Sequence, residues 1–246
     1  MIFIEKTQPS QEITDALNQA KRDFKIQSPE EAAVAFDSLT KRIKDLIRDS
    51  LIEEQHGLCA YCMKRIEKSA PDKMAATTIE HYKPKSKYFD LTLDYKNMLA
   101  VCSGGRGKDK GRKCLCCDAS KGDREIKINP FSRNDMEKIR YRPDGTIFTK
   151  PLDEDLERDI NETLKLNGER DNNGDMLNDT STELVKCRRE VYKNLFLAFI
   201  KGLKSKNKLS RRNIEKRIHE LEQEEPYREC VGVVIYFLRR ELTRYN

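Results

Sequence analysis

Apolar residues recur at helical spacing through most of the chain and alternate or run together only near its middle. Ile13, Ala16 and Leu17 give Ser10 to about Phe24 a helical pattern. Ser28-Pro29-Glu30-Glu31 is a start signal: Ser28 can cap, Pro29 suits the first helical position and Glu31 completes a capping box. The helix that follows carries Ile43, Leu46, Ile47 and Leu51 on one face, breaks around Ser38 to Thr40 and ends near Gly57. It delivers the chain directly into Cys59. Met1 to Ile4 reads as a short strand, and Ser69 to Thr78 as a polar loop. Thr77 to His81 reads as a strand, and Asp94 to Val101 as a turn leading into a second apolar segment. Pro130, Pro143-Asp144-Gly145 and Pro151 punctuate a loop-and-hairpin region with Gly145 at the turn. Ile160 to Leu166, Leu177, Thr180 to about Leu203, Ser210 to Glu224 and Tyr227 to Tyr245 read as helical, with a break at Asp171-Asn172-Asn173-Gly174. No internal repeat is visible.

The pattern predicts a mainly α protein with a small α+β core. The expected organisation is an N-terminal helical region at 1–57, a core at 58–130 and a mostly helical C-terminal region at 131–246. Composition narrows the class. The chain is 37% charged and 37% hydrophobic with no Trp, polar but periodic, which argues against wholesale disorder. Net charge is +6, and Lys186 to Asn246 holds 16 Lys/Arg against 8 Asp/Glu, which permits a polyanionic partner. Met1 to Lys6 lacks the features of a signal peptide. The longest apolar run, Val231 to Leu238, falls well short of the ~20 residues a spanning helix needs. The expected location is therefore cytoplasmic. Thiols stay reduced there, so eight cysteines, six of them between 59 and 117, point to metal rather than disulfides.

Cys59-Ala60-Tyr61-Cys62 is a C-x2-C knuckle of the kind that gives zinc two ligands from one turn. For the second pair Cys102, Cys114, Cys116 and Cys117 are all candidates, and spacing alone prefers Cys114 with Cys117. Cys187 and Cys230 read as core residues. Between the clusters lie Glu80-His81 and Asn97. Of the three histidines, His219 is expected to face solvent and His56 to cap or brace a helix end. His81 is suited to general-base work because its unperturbed pKa lies near neutrality. Asn97 could hold its ring in one orientation. Glu80 and Asp118 could offer oxygen ligands to Mg2+ or Mn2+, and Lys121 could contact a scissile phosphate. Lys83, Lys85 and Lys87, with Arg106, Lys108, Lys110, Arg112 and Lys113 of a glycine-rich basic loop, are candidate phosphate contacts.

These residues resemble the HNH endonuclease family, in which a β-hairpin and a helix form the ββα-metal fold. The resemblance implies a structural zinc on Cys59, Cys62, Cys102 and Cys117. It implies His81 as general base, Asn97 as its orienter, and Glu80 with Asp118 as ligands of a catalytic divalent ion. Within that family the chain is similar to PtuB-type proteins. The similarity lies in Cys59-Ala60-Tyr61-Cys62, Ile79-Glu80-His81-Tyr82-Lys83-Pro84-Lys85-Ser86, Cys117-Asp118-Ala119-Ser120-Lys121-Gly122-Asp123 and Leu164-Lys165-Leu166-Asn167. Those proteins are nuclease subunits of Septu and some retron antiphage defence systems. The resemblance therefore implies a PtuA-like ABC-type ATPase partner, a DNA or RNA substrate, and a retron RNA–DNA as a further candidate partner. Asp118 departs from the family's usual His or Asn. The competing expectation is a non-catalytic, zinc-bearing nucleic-acid-binding or adaptor subunit.

Overall fold

The computed structural model describes residues 1–68, 77–105, 115–169, 173 and 180–245. Arg106, Lys108, Lys110, Arg112, Lys113, Cys114 and Leu177 lie outside the described residues, as does most of the break at 171–174. The chain is mainly helical, with a small core of two antiparallel strand pairs and a cysteine cluster.

Three N-terminal helices follow their local signals. Helix α1 (Gln11–Asp23) is capped by Ser10, whose side chain accepts from the Ile13 N–H, and it buries Ile13, Leu17 and Ala20. Helix α2 (Pro29–Ser38) is capped by Ser28. The Glu31 carboxylate reaches back to the Gln27 N–H at 2.7 Å, one residue beyond the expected capping box. Thr40 then caps α3 (Lys41–Glu54), so the break at 38–40 is a true helix boundary. Ile47 and Leu51 are fully buried on α3, each contributing ~2 kcal/mol. A helix of this length is marginal alone, so this packing is what holds it. His56 and Gly57, both at positive φ, turn the chain from α3 into the first knuckle.

Strand β1 (Thr77–His81) pairs antiparallel with β2 (Met98–Cys102), His81 opposite Met98 and Thr77 opposite Cys102. Helix α4 (Cys117–Lys121) packs against β2. Met1 to Ile4 is not a strand. Met1 and Ile4 are buried, and the segment is tied by the Ile4 N–H to the Pro130 carbonyl at 2.9 Å. After α5 (Arg133–Lys138), β3 (Ile139–Tyr141) and β4 (Ile147–Thr149) form the expected hairpin. Gly145 sits at its turn with φ 92, and a Cβ there would meet the Val185 carbonyl at 2.2 Å. Helix α6 (Glu154–Arg158) runs into a π-helical turn, Asp159–Thr163.

Helices α7 (Thr180–Val191) and α8 (Ala198–Ser205) are joined by a π-helical stretch, Tyr192–Leu197. Helix α9 (Arg211–Glu222) is capped by Ser210. The last helix, α10 (Val231–Leu242), starts four residues later than the pattern suggested. Tyr227 instead stacks on His56 with ring centroids 4.1 Å apart, and Cys230 is left-handed at φ 54. Helix α10 packs on α7, α9 and β3 and also approaches the first knuckle. A Cβ on Gly232 would lie 2.9 Å from Met63 Sδ. The N-terminal helices, the strand core and the C-terminal helices share one hydrophobic cluster. No described helix is long and apolar enough to cross a membrane.

Candidate metal and catalytic centre

The first knuckle is a turn that folds on itself. The Cys59 N–H donates to the Lys64 carbonyl at 2.9 Å, and the Met63 N–H donates back to the Cys59 carbonyl at 3.0 Å. Gln55, at the end of α3, fastens this turn to β2. Its side-chain amide donates to the Leu58 and Ala100 carbonyls at 2.8 and 2.7 Å and accepts from the Ala100 N–H at 2.8 Å. The other two sulfurs come from the end of β2 and the start of α4. Cys117 has φ 54, and its N–H donates to the Leu164 carbonyl at 2.9 Å.

The sulfurs of Cys59, Cys62, Cys102 and Cys117 all lie within 4.8 Å of one another. Cys59 to Cys117 is 4.0 Å and Cys62 to Cys102 is 3.7 Å. Sulfur ligands about 2.3 Å from a zinc ion lie about 3.8 Å from each other in a tetrahedron. The cluster therefore fits a metal such as zinc. Among the described residues Cys102 and Cys117 complete the set, because α4 packs on β2 and brings its first residue beside the strand's last. Cys114, which spacing alone prefers with Cys117, lies outside the described residues. Cys116 stays outside the set.

The acid and histidine sit on the same unit. Glu80 is buried, its carboxylate 2.7 Å from Lys121 Nζ and 3.2 Å from the Tyr61 hydroxyl, which donates to it. Burial, and then the hydrogen bond and charge of Asp118, push Glu80 up to about 8, while Lys121 pulls the other way. Glu80, Asp118 and Lys121 are thus together, as the sequence suggested. The role of Lys121 differs. It is fully buried against Glu80 and also donates to the His81 carbonyl at 3.3 Å, so it is not a free phosphate contact.

His81 is buried, and burial lowers its pKa to about 4. The imidazole is then neutral near pH 7. Its Nε2 lies 2.8 Å from the Thr92 carbonyl, an acceptor only, so Nε2 carries the proton and Nδ1 is left as the basic lone pair. Phe36 of α2 packs its ring against this imidazole, edge-on, with centroids 5.1 Å apart.

Asn97 does not orient His81. Its side chain accepts from the Lys83 N–H at 2.8 Å and donates to the Lys83 and Leu91 carbonyls at 3.0 and 3.3 Å. It closes the loop between β1 and β2, and that loop delivers the Thr92 carbonyl to His81. The orienting group is therefore a main-chain carbonyl, which no residue type announces.

The basic candidates divide. Lys83 is paired with Glu125 at 2.5 Å, Lys85 lies over the Phe36 ring at 5.2 Å, and Lys87 is exposed. Lys44 of α3 lies over the same ring at 5.5 Å, and it is also paired with Asp37 at 3.7 Å and donates to the Asp37 carbonyl. It joins this basic face from a distant part of the sequence. Leu164 to Asn167 is a structural clasp: the Leu164 carbonyl holds Cys117, the Leu166 carbonyl accepts from Arg188 at 2.5 Å, and Asn167 bonds both main-chain groups of Ile147. Tyr61 and Gln55 were missed by sequence reasoning. Tyr61 lies inside the Cys59–Cys62 knuckle, and that position is its one mark in the sequence. In comparisons with known proteins, no family model and no curated protein matches the chain.

Proposed function

We propose that the chain is a metal-dependent phosphodiester hydrolase of the HNH class, its β1–β2 hairpin and α4 forming a ββα-metal unit with a structural zinc on the four cysteines. More particularly, we read it as a PtuB-type nuclease subunit that acts with a PtuA-like ATPase in antiphage defence, on DNA or RNA. One observation carries the reading. The unit that gathers the cysteine sulfurs also gathers Glu80, Asp118, Lys121 and a neutral, carbonyl-held His81.

In this mechanism His81 Nδ1 takes the proton of the attacking water. The Thr92 carbonyl fixes the tautomer and stabilises the imidazolium that forms. Glu80 and Asp118 fit a divalent cation, since two carboxylates forced together in a buried place are relieved by positive charge. When bound, Mg2+ or Mn2+ would supply charge stabilisation at the phosphoryl oxygens and leaving group. Near pH 7 Glu80 holds a proton as well as its contact with Lys121, and a bound cation would displace that proton and part of the lysine contact. Lys44, Lys85 and Lys87 supply positive charge toward a phosphate backbone.

The test is cleavage of supercoiled plasmid and of total transfer RNA by the purified chain with Mg2+ or Mn2+, with and without the ATPase. The expected result is cleavage that His81→Ala lowers by at least ~100-fold while zinc content stays constant. Equal cleavage by both proteins would sink the assignment. A non-catalytic binding subunit is the second reading, favoured by the low exposure of His81, and it predicts retention of nucleic acid without cleavage.

A further inference from the structure

Cys187 and Cys230 lie outside the site just described. The sequence reads both as core residues, yet their sulfurs are 3.5 Å apart. Cys187 sits on α7 and is partly exposed; Cys230 precedes α10 and is buried. They meet because α10 packs on α7. Arg188 lies next to Cys187 in the chain and is fully buried. It donates to the Gly145 and Leu166 carbonyls, its Nη1 has no hydrogen-bond partner, and among the described residues it forms no ion pair with a carboxylate. A buried cation held only by carbonyls favours negative charge nearby.

We propose that Cys187 and Cys230 form a redox-modification site that takes a hydroperoxide as oxidant and closes to an intramolecular disulfide. Cys187 is the attacking sulfur because it is the accessible one. The hydrogen bond with Cys230 lowers its pKa, Lys64 and Arg188 lower it further, and burial and Glu229 oppose them. The Cys187 thiolate attacks the peroxide, an S–O bond forms, the O–O bond breaks, and the departing hydroxide takes a proton to become water. The Cys230 sulfur then attacks the sulfenic sulfur. An S–S bond forms, the S–O bond breaks, and the hydroxide leaves with the Cys230 proton as a second water. Two electrons pass from the pair of sulfurs to the peroxide, and a thiol reductant reverses the step by exchange.

The bond would tie α7 to the segment that braces the first knuckle, since the Cys230 N–H donates to the Met63 carbonyl at 3.0 Å. The proposal does not depend on the nuclease reading. The test treats the full, metal-loaded chain with limiting hydrogen peroxide, blocks free thiols, and maps non-reduced peptides by mass spectrometry alongside metal content. The expected result is a Cys187–Cys230 linkage in most chains, removed by dithiothreitol, with metal retained. Cys230→Ser should instead leave a Cys187 sulfenic acid that dimedone captures. Oxidation falling first on Cys59, Cys62, Cys102 or Cys117 with metal release would overturn the proposal. So would wild-type chains in which Cys187 and Cys230 stay unlinked after other thiols have reacted.

Discussion

The cysteine cluster and the acid–histidine centre share one hairpin and one short helix, yet they handle charge in opposite ways. The cluster brings four sulfurs together within 4.8 Å, a set complete for a tetrahedral ion. The centre beside it brings a buried acid against Asp118 and balances it with the ammonium of Lys121. A metal at the cluster meets soft ligands that need it to hold the fold together. A cation at the acids must share them with a lysine already in place. On the proposed reading, the difference separates a device for stability from one suited to an exchangeable ion. Tyr61 joins them: it lies within the knuckle and donates to Glu80.

The largest effect should come from breaking the first device. Cys117→Ser should abolish tight metal binding and lower stability by on the order of 5 kcal/mol or more, read by metal content and thermal unfolding. Gln55→Ala should cost ~2–4 kcal/mol, because it strands the Leu58 carbonyl and the Ala100 N–H in a buried place. Metal stoichiometry should survive that change.

The second device should respond to pH. Glu80 is raised in the folded protein to about 8 from 4.5, so the folded state holds its proton more tightly and stability falls as pH rises between those values. His81 is lowered to about 4 from 6.5, so its contribution is lost as pH falls through that window. Between about 6.5 and 8 the Glu80 slope stands without opposition from His81. The Met1 ammonium, lowered by burial to about 5 from 8.0, opposes this slope over the same interval, so the prediction is a difference. Without added divalent cation, Glu80→Gln should make stability rise more steeply with pH between about 6.5 and 8 than wild type does in thermal unfolding. Tyr61→Phe should give the smallest change. It removes one hydrogen bond to Glu80, costing ~1 kcal/mol, and leaves the sulfurs in place.

What the sequence made legible was local. Ser10, Ser28, Thr40 and Ser210 cap helices because their hydroxyls reach an N–H within the same turn, and Gly145 marks its own hairpin. The strand at Thr77 is legible in the run Thr77 to His81, whereas the segment that becomes β2 reads only as a turn leading into an apolar stretch. The candidate site was legible as residue types in order, through Glu80, His81, Asp118 and the knuckle cysteines. Its wiring was not. Lys121 reads as a surface lysine until the fold buries it, and Asn97 reads as an orienter until the hairpin gives that task to the Thr92 carbonyl. Phe36, Lys44 and the contact of Cys187 with Cys230 arise where distant helices pack, and spacing along the chain carries no trace of that.

The most direct test of two unlike metal sites on one unit is a Mn2+ titration followed by electron paramagnetic resonance, on chain dialysed after purification and assayed for zinc. The account predicts one zinc that survives dialysis, and a separate, exchangeable Mn2+ site that Glu80→Gln abolishes with the zinc unchanged. Mn2+ binding that is absent, or that persists unchanged in Glu80→Gln, would contradict it.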